Sequence, residues 1–139
     1  MINTRSLVRC TFIVALATVA ACSSSEEIAE APAAPPMPAN WSVVSDQTFA
    51  PAEIKPISES LGGEVSALRN TLYDVEGKSI KLNTIVAATA DDADRIYAAV
   101  GKMKPEEWFL RDDLIIYEFV GNNDVIPEMR AGRALLANN

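Results

Sequence analysis

The stretch from Val65 to Ala88, VSALRNTLYDVEGKSIKLNTIVAA, decides the fold. Two runs, Val65 to Val75 and Ser79 to Ala88, flank Glu76-Gly77, where glycine can supply the positive φ of a tight two-residue turn. Within the second run Ile80, Leu82, Thr84 and Val86 alternate with Lys81, Asn83, Ile85 and Ala87. Alternation with a period of two sends the two sets to opposite faces of a sheet, so this stretch predicts an antiparallel hairpin with one mostly buried face.

Downstream the period changes. Thr89 stands where an N-cap belongs, and Asp91, Asp92 and Asp94 follow it in the first turn, where carboxylates meet the positive end of a helix dipole. Ala93, Ile96, Tyr97, Val100 and Met103 make the apolar stripe of a helix reaching about Lys104, with Asp91 and Arg95 as an outer i,i+4 pair. A second hairpin is predicted from Glu107 to Arg111 and Leu114 to Gly121 around Asp112-Asp113. A last helix runs from about Asp124 to Ala137, with Pro127 in its first turn. Val125, Met129, Gly132 and Leu136 form its inner stripe, and Arg130 and Arg133 point outward. Two hairpin-plus-helix units thus stand in tandem without a residue-by-residue repeat.

Upstream, Ser42 to Ser45 reads as a short strand. Pro51 to Leu61 reads as a helical stretch carrying Ile54, Ile57 and Leu61 and closed by Gly62-Gly63. Pro56 removes an intrahelical donor, so this element is either two short turns or one helix starting at Pro56. The expected fold class is α+β: a two-layer sandwich with a four-stranded, mainly antiparallel sheet and helices on one face, in the order α-ββα-ββα.

Two-residue turns at both hairpins pair Tyr73 with Ile80 and Leu110 with Ile115, which sends Tyr117 and Phe119 towards the helices. Leu68, Ile85, Phe109, Leu114 and Ile116 then face the other way, and two helices on one side cannot cover them. Either the segment from Trp41 to Leu61 folds across that face, or these five residues are a candidate interface for a homodimer or an envelope protein partner.

The first 22 residues carry a different signal. Arg5 and Arg9 precede Cys10 to Ala21, a run of apolar or small residues interrupted only by Thr11 and Thr18. It is too short to span a hydrocarbon core, which takes about 20 helical residues, and has the layout of a secretory signal. Val19-Ala20-Ala21-Cys22 resembles the lipobox of bacterial lipoproteins. The resemblance implies a diacylglyceryl group on the sulfur of Cys22, cleavage by signal peptidase II between Ala21 and Cys22, and acylation of the new amino group. Two or three acyl chains hold a protein firmly where one holds it marginally. Ser23 and Ser24 follow the cysteine, with no aspartate of the kind that retains such lipoproteins in the inner membrane. The implied location is the cell envelope, at the outer membrane and facing the periplasm where the source has two membranes.

The chain therefore divides into a signal peptide, 1–21; a lipidated Cys22 and tether, 22–40; and one globular domain, 41–139. Pro32, Pro35, Pro36 and Pro38 exclude helix from the tether, which reads as disordered and polyproline-like. At about 3.1 Å per residue it reaches roughly 55 Å from the membrane.

Composition excludes several chemistries. The 139 residues contain no histidine, and of the two cysteines Cys10 is removed and Cys22 is acylated. Ser-His-Asp catalysis, Cys-His catalysis and ordinary zinc sites are thereby closed, and Gly62-Gly63 lacks the spacing and lysine of a phosphate loop. Loss of Arg5 and Arg9 lowers the 12 basic residues to 10 against 19 acidic ones, a net charge of −9, so nucleic acid is not an expected partner. The acidic groups Asp91-Asp92-Asp94, Asp112-Asp113 and Asp124-Glu128 sit where caps and turns need them, without the spacing of a calcium loop. Tyr73, Tyr97, Tyr117, Trp108 and Phe119 fit core positions better than a ligand cage. No catalytic residue, metal or cofactor is assigned. The expected function is a non-enzymatic protein-binding or assembly module, anchored to the membrane through its lipid. Alternatives are a small-ligand or metal-ion site in a sheet-helix pocket and a histidine-free hydrolase using a Ser-Lys or carboxylate pair.

Overall fold

The hairpin at Glu76-Gly77 forms the centre of the sheet. A computed structural model of the chain describes residues 30–139. Strand β2, Val65–Val75, and strand β3, Lys78–Ala87, pair antiparallel with Val75 opposite Lys78 and Tyr73 opposite Ile80. Glu76 and Gly77 take φ of 56° and 81°, the paired left-handed conformations that match the twist of the flanking strands. Near its start β2 carries a bulge, with Val65 opposite Ala87 and Ala67 opposite Val86. Its extra residue returns Val65 to the face occupied by Leu68.

Three further strands complete an antiparallel sheet in which β1, Ser42–Thr48, and β4, Phe109–Asp112, are the edges. With β5, Ile115–Val120, the spatial order is β1-β2-β3-β5-β4. The sheet has five strands, not the expected four, because β1 runs on to Thr48 and pairs with β2 along its length. All seven residues of β1 are exposed, so no alternating burial marks it in the sequence. In the second hairpin Asp112 pairs with Ile115, placing the turn at Asp113-Leu114, one residue later than expected, with Asp113 at φ 50°. Leu110 therefore faces Tyr117 across the pair, not Ile115. A register change of two leaves side-chain faces unaltered.

Helices cover both faces, which corrects the expected two-layer arrangement. Helix α1, Pro51–Leu61, and helix α2, Ala90–Met103, pack on the face carrying Val65, Leu68, Ile85, Ala87, Phe109 and Ile116. Helix α3, Ile126–Ala137, packs on the other face through Met129, over Tyr73, Val75, Ile80, Leu82 and Phe119. The core is thus divided in two by the sheet. Burying a side chain such as Ile96 or Phe119 contributes about 1.5–3 kcal/mol, and each half contains several.

Local chemistry sets the helix ends. Thr89 Oγ1 accepts from the Asp92 amide at 3.1 Å and donates to Asp92 Oδ2 at 2.6 Å, while the Glu64 amide donates to Asp92 Oδ1 at 3.0 Å. One side chain thereby starts α2 and fastens it to the loop after α1. The Thr89 hydroxyl, followed by the Glu64 amide, holds the Asp92 carboxyl below its ordinary pKa. Arg95 pairs with Asp92 at 3.4 Å in place of the expected Asp91. Helix α1 is continuous through Pro56: Pro51 occupies its first turn, and the Ala52 carbonyl that Pro56 leaves without a donor lies in an exposed turn. Gly62, at φ 71°, closes α1 by donating its amide to the Ser58 carbonyl at 2.9 Å.

The N-terminal segment is part of the folded unit. Trp41 packs edge-on against Tyr73 and Phe119, with ring centroids 5.3 and 6.3 Å apart, and Met37 joins the same cluster. Ala31 is 4% exposed, and Glu30 lies 4.0 Å from Arg69 on β2. The domain expected to start at Trp41 therefore includes residues from about Ala31, and that part of the expected tether lies on the domain. The apolar rings and Met37 supply the burial that the prolines alone could not. Residues 1–21, the cleavage site at Ala21-Cys22 and the lipid attachment at Cys22 lie outside the described residues. Among the described residues no helix is long and apolar enough to cross a membrane.

Candidate functional site

The five residues expected as an interface divide between core and rim. Leu68, Ile85, Phe109 and Ile116 share one face and are 5%, 3%, 3% and 0% exposed, and Leu114 packs half-buried beside them. Helix α1 folds across this face through Ile54, Ile57 and Leu61, and α2 covers the rest through Ala93, Ile96 and Val100. The four buried residues are core and not a docking surface, and Leu114 borders them. The alternative in which the segment ending at Leu61 provides the cover describes what α1 does, with α2 beside it.

Where α1 and α2 diverge over the sheet they leave a cavity of about 180 Å³. Ile57 and Leu61 of α1 form one wall and Val100 and Met103 of α2 the other. Met103, expected in the apolar stripe of α2, is 65% exposed at the rim. The floor carries Leu68 and Ile85, and beside them Asn70, Asn83 and Glu118.

These three polar residues are placed by strand register. Asn70 lies opposite Asn83, and Asn83 opposite Glu118, so β2, β3 and β5 each contribute one to a row across the sheet. Directly opposed side chains on one face have Cβ atoms roughly 4.5–5.5 Å apart. Asn83 Nδ2 donates to Glu118 Oε2 at 2.7 Å, and Lys104 Nζ, just past the end of α2, donates to Glu118 Oε1 at 2.9 Å. The same ammonium lies 3.5 Å from the Phe119 carbonyl oxygen and 5.8 Å from the centre of the Trp108 ring. The Lys104 and Glu118 side chains are 18% and 12% exposed, so water screens this pair less than a surface pair. Both charges are matched, and the cavity is locally neutral.

A carboxylate only accepts, so the end of Asn83 that meets Glu118 has to be its NH₂ group. Its Oδ1 is therefore fixed on the far side, where it is buried and has no hydrogen-bond partner among the described residues. Asn70, next in the row, makes no side-chain hydrogen bond among the described residues. Leaving a buried acceptor unmet costs roughly 1–3 kcal/mol, which marks this end of the row as the place where a donor is wanted.

The acidic candidates have other partners. Asp94 pairs with Arg111, Glu128 with Lys78 at 3.2 Å, and Asp113 forms a turn. Glu128 has its carboxyl held below the ordinary range, chiefly by its own backbone amide and then by Lys78. Among the described residues no group of three or more His, Cys, Asp or Glu converges as a metal site. Tyr73 and Phe119 lie in the core, Tyr97 stacks edge-on with Phe109 at 5.0 Å, and burial raises the hydroxyl pKa of Tyr73 and Tyr117.

Sequence reasoning missed Asn70, Asn83, Glu118 and Lys104 as a group. The signal was present in the alternation, since each of the three strand residues stands two places from a buried apolar residue of the same face: Leu68, Ile85 or Ile116. A polar residue on a buried face is informative in a way that an exposed leucine is not. Comparison of the chain with protein-family models, with curated proteins and with solved structures gave no match.

Proposed function

We propose that the domain is a non-enzymatic module that binds a small ligand in the cavity between α1, α2 and the sheet, and that a lipid on Cys22 presents it at the cell envelope. The observation that carries this reading is the cavity, with apolar walls on two helices and one convergent row of polar side chains on its floor. Apolar walls with a few fixed polar groups are the usual composition of ligand pockets. An apolar cavity of about 150 Å³ holds a benzene-sized molecule, so about 180 Å³ suits a single ring or a short branched chain. The envelope part rests on the lipobox resemblance at Val19-Ala20-Ala21-Cys22 and on the absence of an aspartate after Cys22.

Nuclear magnetic resonance with a panel of single-ring fragments tests the ligand reading. Binding at the cavity shifts the side-chain amides of Asn70 and Asn83 together with Val100 and Met103; shifts scattered over the surface, or none, reject it. For the anchor, mass spectrometry of the N-terminal peptide is expected to find acyl chains on Cys22, and Cys22→Ala is expected to release the protein from its membrane fraction.

A second reading, binding of another envelope protein, is favoured by a different observation. Strand β1 is an edge, all its residues are exposed, and Val43 and Val44 are 58% and 61% exposed. An extended segment of a partner could add to such an edge through main-chain hydrogen bonds. The Phe49 amide donates to the Leu68 carbonyl at 3.1 Å, so by alternation the Thr48 amide faces away from β2. Thr48→Pro would remove that outward donor and abolish cross-linking to the partner, whereas unchanged cross-linking counts against the edge.

A further inference from the structure

Resting on the small-ligand reading of the same cavity, we propose that its ligand is a neutral molecule with a body of about one ring and an O–H or N–H donor, received by the side-chain carbonyl of Asn70. The direction follows from the row of polar groups. The ammonium of Lys104 and the NH₂ of Asn83 both donate to Glu118, at 2.9 and 2.7 Å. The carboxylate thus fixes the sense of the row, and Asn83 presents Oδ1 towards Asn70, its cross-strand partner. No hydrogen bond joins the two side chains in the structure, but the Asn70 NH₂ has no other side-chain partner among the described residues, so it is the cross-strand donor that would meet this acceptor once a ligand orders the row. Turned in that sense, Asn70 presents its Oδ1 to the cavity. A row that begins at a carboxylate therefore ends in an acceptor, and its complement is a donor.

Charge matching gives the second half of the inference. The one carboxylate lining the cavity has each oxygen held, and the nearest ammonium is already paired with it. An ionic ligand would have to lose water without gaining an opposite charge, whereas a neutral one meets no such penalty. The walls of Ile57, Leu61 and Val100 favour an apolar body.

The test uses the full lipidated chain in nanodiscs, with empty nanodiscs as the control for partition of the probes. Aniline and pyridine are both single rings and neutral at pH 7, but aniline offers N–H donors and pyridine only an acceptor. Benzoate supplies the anionic case. Dissociation constants are read from the side-chain amide resonances of Asn70 and Asn83. Aniline is expected to bind about threefold to tenfold more tightly than pyridine, the range a single net hydrogen bond supplies, and benzoate most weakly. Asn70→Leu removes the acceptor with little change of volume and is expected to erase the preference for aniline while leaving a toluene control unchanged. Should pyridine bind as tightly as aniline, or benzoate bind tightest, the assigned ligand chemistry is wrong and the small-ligand reading stands. Should none of the probes move the cavity resonances, both fall. The comparison between aniline and pyridine on the unaltered protein decides the matter even where Asn70→Leu fails to fold.

Discussion

Trp41 and Gly132 fit together because position 132 carries no side chain: a Cβ there would lie 2.8 Å from Cη2 of Trp41 and 3.3 Å from Cε1 of Phe119. Alanine is the better helix former by about 1 kcal/mol, which alone would make Gly132→Ala stabilising. Here crowding decides the sign, since the indole is wedged between Tyr73 and Phe119 and has nowhere to retreat. Gly132→Ala is expected to lower stability by about 1–3 kcal/mol, the usual cost of overpacking, measured by urea denaturation. In a Trp41→Leu background, where the ring is gone, the same substitution is expected to cost little. An equal cost in both backgrounds would show that the contact is not the cause.

Asp92 sets the acid limit of the link between α1 and α2. Its carboxyl is held below the ordinary range by the Thr89 hydroxyl and then by the Glu64 amide, so the folded state favours the ionised form. A group with a depressed folded pKa contributes stability above its unfolded value, about 3.9, and loses it as pH falls through the folded value. The stability gap between the native chain and Asp92→Asn is therefore expected at pH 7 and should shrink below about pH 4. Denaturant titrations from neutral to acidic pH measure it, and a gap that does not change with pH would assign the role of Asp92 to shape alone.

The pair of Lys104 and Glu118 is expected to cost more when broken than when replaced. Glu118→Leu leaves the ammonium of Lys104 largely enclosed without its carboxylate, at an expected cost of about 1–3 kcal/mol. Adding Lys104→Met removes the orphaned charge and should recover part of that loss, as replacement of enclosed ion pairs by apolar groups often does. A double variant less stable than the single one would contradict this account. Both variants can be compared by thermal unfolding.

How far the sequence carried the fold can be read from individual residues. Glu76-Gly77 and the alternation from Ile80 to Ala87 placed the central hairpin in its observed register, because turn chemistry and period two act locally. Parity also survived the displaced turn at Asp113-Leu114, so Phe119 and Ile116 point to opposite faces as expected. What was not legible was non-local. The face that α2 covers depends on its attachment to Glu64 through Asp92, and the role of Trp41 depends on a glycine 91 positions away in α3. Strand β1 had no buried side chain to announce it. At the cavity, Asn83 stood in the right alternation, but its meaning came only when Asn70, Glu118 and Lys104 were brought beside it from three other elements.

With a lipid on Cys22, as proposed, the attachment of the N-terminal segment would shorten the distance at which the domain can stand from the membrane. Sequence composition suggested a free tether from Cys22 to Asn40, yet Glu30 lies by Arg69 and Ala31 is buried. Eight residue steps separate Cys22 from Glu30, and an extended chain spans at most about 3.6 Å per step, so Cys22 can lie no more than about 30 Å from that corner of the sheet. This is about half the reach of an unattached tether. With a donor fluorophore on a cysteine introduced at Ser45, near the same edge, and an acceptor in the lipid headgroups, energy transfer is expected to report a short distance to the membrane. Arg69→Ala with Trp41→Ala removes both holds on the segment and is expected to lengthen that distance and lower transfer. Equal transfer in the native and doubly substituted chains would mean that the segment does not set the standing height of the domain.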